Sequence, residues 1–321
     1  MAKNLYPYAV ARIRSKELSL LNSSMMDQLI GAKTEEDCLN LLAGKGWDTE
    51  SGVDKMFASE QKKTWDLLSE LVSDLSVFNV FLLKNDYHNL KAAIKLRCTN
   101  TSMPSVYILN GTVPVEKIQA AVEKSQWDLL PEEMQSPAQE AFEALLHTRD
   151  GQLCDFILDK ACLCAIEKAG KASDTEAIRE YAERTVAAAD IKIAVRALHT
   201  GKPLSLIESS LAPCDSLDTD RLAKAATQSE EAIFDVLSTS RYADAIDSLR
   251  ESPSAFESWC DNLIIRKIRK ELYNPFTLGP LAAFLIAKET ELKSVRILLS
   301  GKRNGMPQEF IRQRMRELYV V

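Results

Sequence analysis

Asn89-Leu90-Lys91-Ala92-Ala93-Ile94 returns as Asp190-Ile191-Lys192-Ile193-Ala194-Val195, and again as Ser294-Val295-Arg296-Ile297-Leu298-Leu299. Each copy is a short polar residue, an aliphatic, a base, and a small or apolar run closing on an aliphatic. The copies lie about 100 residues apart, whereas the units of solenoid proteins run about 20–50 residues. A second likeness supports duplication: Met26-Asp27-Gln28-Leu29-Ile30 through Leu41-Leu42 resembles Phe234-Asp235-Val236-Leu237 through Ile246-Asp247-Ser248-Leu249. The repeat therefore predicts three compact lobes rather than a stacked array. Turn-rich stretches at Cys98–Pro114 and Gly201–Asp220 place the boundaries, giving lobes at 1–110, 111–212 and 213–321.

The lobes are expected to be helical. Only 11 glycines and 11 prolines occur in 321 residues, so few turns interrupt the chain. From Lys62 to Leu83 the apolar positions Trp65, Leu68, Leu71, Leu75, Phe78 and Leu82 step by three or four, which lines one helix face. Phe256, Trp259, Leu263, Ile268 and Leu272 repeat that pattern up to Asn274-Pro275, where the residue before proline leaves the α region. Pro280 suits the first turn of a further helix through Leu281, Leu285, Leu292, Val295 and Leu299, with Gly301 as its stop. A last helix opens near Pro307 with Phe310, Ile311, Met315 and Leu318 facing inward. Val106–Leu109 is the best strand candidate, and it is brief. The class is all-α.

Composition excludes several functions. The net charge of −6 argues against a nucleic-acid binder working through a basic surface. Apolar runs such as Leu281–Ala287 are far shorter than the roughly 18–20 residues of a membrane span. Met1–Leu21 carries Arg12, Arg14, Lys16 and Glu17 within its apolar pattern and does not read as a signal peptide. Seven cysteines without framework spacing read as free thiols of the cytoplasm.

Catalytic and metal signals are weak. His88, His147 and His199 lack ligand spacing, and Cys162-x-Cys164 lacks a second pair. Gly301-Lys302-Arg303-Asn304-Gly305 lacks the phosphate-loop pattern and follows a helix, so it reads as a helix end and turn. No Gly-x-Ser-x-Gly elbow and no cofactor motif occurs. The charge distribution is more telling at the C-terminus, where Lys302, Arg303, Arg312, Arg314 and Arg316 face only Glu309 and Glu317 between 302 and 317. Such a basic segment on an acidic protein can steer an acidic partner or form a solvated, internally balanced face.

Several patches resemble one family. Tyr6-Pro7-Tyr8-Ala9-Val10-Ala11-Arg12-Ile13-Arg14, then Glu17 and Leu20-Leu21, looks like the opening of the C subunit of bacterial and archaeal V/A-type ATPases, counterpart of the d subunit of the eukaryotic vacuolar ATPase. Asp86-Tyr87-His88-Asn89-Leu90-Lys91 is similar to its first-lobe signature. Asn274-Pro275-Phe276 resembles its C-terminal signature. So does the block from Glu289-x-Glu291 through Arg296-Ile297, Gly301-Lys302, Gly305-Met306-Pro307 and Ile311 to Leu318-Tyr319-Val320. The resemblance implies three helical lobes in a pseudo-threefold, funnel-like array. It implies a non-catalytic connector between the membrane rotor ring of proteolipid subunits and the central shaft, passing torque between ATP turnover and ion movement. It also implies a cytoplasmic protein, peripheral to the membrane through that complex. One departure is Ser294, where the family usually has asparagine; serine caps and bridges less rigidly, which weakens any helix-bridging hydrogen bond expected there.

On this reading Arg12, Lys91, Lys192 and Arg296 are the first candidates for partner contact, three of them being the bases of the repeat. Structural ion pairs joining helices are the competing role for the same residues. Lys302, Arg303 and Arg312 form a second candidate surface. From the residues alone two other classes stay open: an independent helical adaptor or scaffold of the cytosol, and an all-α enzyme whose site is assembled from scattered polar residues.

Overall fold

Polar spacers cut the apolar periodicity into helices, and the computed structural model, which describes residues 6–101 and 103–320, is 74% helical. No strand occurs among the described residues. Val106–Leu109 is no exception, since Pro104–Val106 forms a single 3-10 turn. The first five residues of Met1–Leu21, and Ser102 within the first expected boundary, lie outside the described residues.

In chain order the helices are α1 (Pro7–Glu17), α2 (Ser23–Gly31), α3 (Glu35–Ala43), α4 (Val53–Leu71), α5 (Leu83–Thr99), α6 (Val115–Lys124), α7 (Glu132–Thr148) and α8 (Gly151–Ala172). They continue as α9 (Glu176–His199), α10 (Leu204–Ser210), α11 (Thr219–Ala225), α12 (Glu230–Ser238), α13 (Ala245–Glu251), α14 (Pro253–Ile268), α15 (Gly279–Arg303) and α16 (Gln308–Gln313). Contacts divide the chain into two compact units. One comprises Met1–Leu75, Thr175–Glu180 and Asp247–Val321; the other comprises Ser76–Asp174 and Tyr181–Ile246.

Three helix expectations are corrected. The periodic run from Lys62 to Leu83 is not one helix: α4 ends at Leu71, Val72 is extended, and a 3-10 turn covers Leu75–Phe81 before α5 begins. Val72-Ser73-Asp74 supplies a β-branched residue and two side chains that compete for backbone hydrogen bonds, which breaks the helix while leaving the apolar spacing intact. Gly301 is not the stop of α15, which runs on to Arg303; the left-handed residue is Gly305 at φ +65°. Gly301 is needed for another reason, because a Cβ there would come 2.8 Å from Cγ1 of the buried Ile311. Phe310 is 57% exposed, so α16 turns Ile311 inward but not Phe310. The predicted end at Asn274 and the proline in the first turn of α15 both hold.

In the first unit, α2, α3, the start of α4, α15 and α16 share one core that includes Leu29, Leu42, Met56, Val295 and Leu298. Arg14 of α1 bonds the Glu271 carbonyl and, at 3.3 Å, that of Asn274, fastening the N-terminal helix to the turn ahead of α15. A buried charge cluster sits beside this core: Lys288 Nζ lies 2.7 Å from Glu60 Oε2 and 2.7 Å from Glu291 Oε1, above the Trp47 ring. Burial pulls the Lys288 ammonium down, but Glu291 and Glu60 more than offset it, so its pKa stands above the usual lysine range. Glu291 also moves up, because burial outweighs the single ammonium that two carboxylates share.

In the second unit, α7 and α8 form an antiparallel pair joined at Arg149-Asp150, and α5 packs on both. Asp150 caps α8 by accepting from the Gln152 and Leu153 amides, and Arg149, at φ +56°, makes the tight reversal.

Candidate functional site

The first residue of each repeat copy is buried, and each does the same work. Asn89 Oδ1 accepts from the Ile108 amide at 2.8 Å while its Nδ2 donates to the Ile108 carbonyl at 2.8 Å. Asp190 Oδ1 accepts from the Ala212 amide at 3.0 Å. Ser294 Oγ accepts from the Arg316 amide at 3.4 Å. A long helix thus grips a backbone N–H about 20 residues downstream, three times over. The serine copy makes the longest bond of the three, as a short hydroxyl without an amide's second donor would.

Neighbouring positions reinforce two of these staples. Asp86, one turn before Asn89, accepts from the Thr112 amide at 2.9 Å, the Thr112 hydroxyl at 2.6 Å and the Val113 amide at 3.1 Å. This grip requires Gly111, since a Cβ at that position would fall 2.3 Å from Asp86 Oδ1. Glu183, two turns before Asp190, accepts from the Ser216 amide at 2.7 Å, and the Ser216 hydroxyl lies 2.6 Å from that of Tyr242. Asp190 is the weakly satisfied member: its Oδ2 is buried without a hydrogen-bond partner among the described residues. Burial pushes its carboxyl up to about 7, with the Ala212 amide opposing.

The three repeat bases have different fates. Lys91 pairs with Asp159 at 2.6 Å and Asp155 at 3.7 Å, tying α5 to α8. Arg296 stacks over the Phe57 ring with its guanidinium carbon 4.3 Å from the centroid, tying α15 to α4. Lys192 is exposed on α9. Arg12 is exposed on α1, and its side chain has no bond or ion pair among the described residues.

The C-terminal basic group is occupied within the first unit. Lys302 Nζ donates to the Ile30 and Ala32 carbonyls, capping the C-terminus of α2, where a cation is favoured. Arg303 forms a two-pronged pair with Glu35, and Arg312 lies 2.7 Å from Asp27. These residues therefore come together with acids of the N-terminal helices.

Lys91 and Lys192 are brought together in the second unit, where α5, α8, α9 and α10 line a cleft of about 450 Å³. Its other bases, Lys84, Arg196 and Lys202, were not singled out from the sequence. The signal was there as spacing: Lys84, His88 and Lys91 stand at i, i+4 and i+7 of α5, and Lys192 and Arg196 at i and i+4 of α9.

One carboxylate group has the closeness of a metal site. Oxygens of Glu167, Glu183 and Asp215 lie within 4.8 Å of one another. Lys171 already supplies the cation, 3.1 Å from Glu167 and 2.7 Å from Asp215, and Glu183 directs its oxygens at the backbone of 215–216. The seven cysteines are free, and burial pushes the Cys162 thiol up to about 12, which suppresses its thiolate. No helix among the described residues is long and apolar enough to cross a membrane.

Comparison with known proteins gives these features a context. The sequence profile of the ATP synthase (C/AC39) subunit family matches residues 9–314. The chain is 22% identical to the C subunit of the V-type sodium ATPase of Enterococcus hirae, over 96% of this chain and 97% of that one. It is 25% identical to the C subunit of the V-type ATP synthase of Thermus thermophilus, over 94% and 96% of the two chains. It is also 25% identical to the C subunit of the A-type ATP synthase of Methanocaldococcus jannaschii, over 96% and 85%. Every staple residue and every candidate base lies inside the matched span except Arg316, whose backbone amide is the one Ser294 holds. Matched along nearly its whole length, the chain belongs to the ATP synthase (C/AC39) subunit family.

Proposed function

We propose that this chain is the central-stalk connector of a rotary V/A-type ATPase, joining the membrane rotor ring to the central shaft and passing torque between ATP turnover and ion movement. The observation that carries the reading is the staple made by Asn89, Asp190 and Ser294, one buried polar grip repeated on three helices. It supports a division of the chain into three lobes at 1–110, 111–212 and 213–321, because the same local device recurs once in each segment. A torque coupling must not yield, and close-packed interiors have low compressibility and transmit strain. Tying each downstream segment to a helix removes the loops that would otherwise deform first.

On this reading the chain is a non-catalytic subunit, held at the membrane through the ring. Arg12 is the foremost of the predicted contact residues, because it is exposed and uncommitted within the described chain. Lys302, Arg303 and Arg312 rank behind it, because each is engaged in an internal pair. The test is affinity purification of the tagged chain from membranes of its own cell. Recovery of proteolipid ring and shaft subunits is expected, along with loss of ATP-driven ion transport when the chain is depleted. A folded chain that recovers neither would mark an independent adaptor.

A further inference from the structure

We propose that the basic cleft of the second unit binds an amphipathic helix of a stalk partner, through an apolar stripe flanked by aspartate and glutamate. The occupant's place in the stalk rests on the connector reading above; the chemistry of the cleft does not. Five lysine or arginine side chains line it against a single carboxylate, Asp159, on a chain whose net charge is −6. The positive field is therefore local and opposes the field of the whole molecule, which is the pattern of electrostatic steering toward an acidic surface.

Shape selects the class of occupant. The lining residues of α8 run from Gln152 to Ile166, about 21 Å of helix. The floor between the helices is apolar, formed by Tyr87, Phe156, Leu163, Ile166, Ile193 and Ile207. Bases stand in stripes along α5 and α9 rather than converging on one point. A compact anion such as phosphate calls for convergent donors, whereas an apolar trough of about four helical turns with cationic edges matches a helix laid in a groove. Lys91 is held in position by Asp155 and Asp159, and the Arg196 guanidinium has no bond or ion pair among the described residues.

The test uses the full-length chain and a fluorescein-labelled synthetic helix of about 16 residues, with leucines at i, i+3 or i+4, and i+7, and glutamates flanking them. Saturable anisotropy binding that weakens with salt is expected, together with a loss of about tenfold or more for the Lys192→Glu/Arg196→Glu double variant. Both positions are exposed, so the variant should keep its circular dichroism and melting temperature. Equal binding of a lysine-flanked control helix, or undiminished binding by the double variant, overturns the proposal. Retention on phosphatidylglycerol vesicles or competition by inorganic phosphate, with no uptake of the acidic helix, overturns it as well. Co-purification separates this inference from the connector reading. If wild type and double variant recover the shaft equally well, the cleft proposal falls and the connector stands. If the wild-type chain takes up the helix but recovers no stalk component, the connector falls and the cleft chemistry stands.

Discussion

Asn89 holds the backbone of Ile108 on both sides of its Cα, accepting from the N–H and donating to the C=O, each at 2.8 Å. No other residue of the same rank in the repeat makes this double contact, because aspartate lacks the donor unless protonated and serine is too short. Asn89 is fully buried, so nothing replaces it when it is removed. Asn89→Ala should cost about 1–3 kcal/mol, the penalty of two unmet backbone groups. Hydrogen exchange should accelerate at residues 106–113 and not at 212–217; uniform acceleration would mean that the staple is not local.

The middle copy gives the pH experiment. Asp190 stands near 7 in the folded chain, above its unfolded value of about 3.9, so between those limits the folded chain holds a proton that the unfolded chain has lost. Stability contributed at this site is then greatest below about pH 4 and declines, by up to about 1.4 kcal/mol per unit, as pH rises toward 7. The influences on it come from burial first, then the Ala212 amide, Lys160 and Glu183. Asp190→Asn keeps the acceptor for Ala212 and removes the titration. It should match wild type in acid and exceed it increasingly up to neutral pH. Denaturant melts of both proteins across that range check this, and parallel curves would refute it.

The helices, the repeat and its bases were legible because periodicity and identity are written in the sequence. What each base touches was not. Lys91 and Arg296 occupy equivalent places in the repeat, yet one meets carboxylates on α8 and the other a phenyl ring on α4. Those partners lie 68 and 239 residues away in the chain, reached only through packing. The partners of the C-terminal bases were hidden for the same reason: the excess charge along the segment is met by Asp27, Glu35 and the carbonyl end of α2. Composition counts charge along the chain, whereas neutralisation happens across it.

Two of the C-terminal bases, Arg312 and Lys302, should consequently differ in worth. Arg312→Ala removes a pair more than half exposed at both ends, and such pairs contribute about 0–1 kcal/mol. Lys302→Met removes two charged donations to the carbonyl end of α2 while keeping the aliphatic stem, and should cost about 1–2 kcal/mol. Thermal melts at low and high salt distinguish them, with Arg312→Ala close to wild type in both.

Lys288 is a costly charge to delete. Its ammonium lies between Glu60 and Glu291, all three nearly enclosed. Removing one partner of a buried pair costs about 3–5 kcal/mol, because the remaining charge stays buried. Lys288→Met should show that loss near neutral pH and recover part of it in acid, where Glu291 takes up a proton. A loss unchanged by acid would trace the damage to packing against Trp47 instead.

Gly301 opposes two helical rules, so its replacement is informative. In an exposed helix interior, glycine to alanine gains up to about 1 kcal/mol from propensity alone. Here the added methyl would stand 2.8 Å from Cγ1 and 2.9 Å from Cδ1 of Ile311, a residue buried where α16 closes on α15. The contact is too short to keep, and Ile311 is enclosed, so α16 must shift or its side chain must leave its rotamer. Gly301→Ala should therefore destabilise by about 1–3 kcal/mol, opposite in sign to the propensity gain. Ile311→Val shortens the side chain facing that methyl at a cost of about 0.5–1.5 kcal/mol by itself. Combined with Gly301→Ala it should cost less than the sum of the two, a favourable coupling read from denaturant midpoints of the four proteins. Additive costs, or a stabilising Gly301→Ala, would show that α16 is not seated on Gly301 as described.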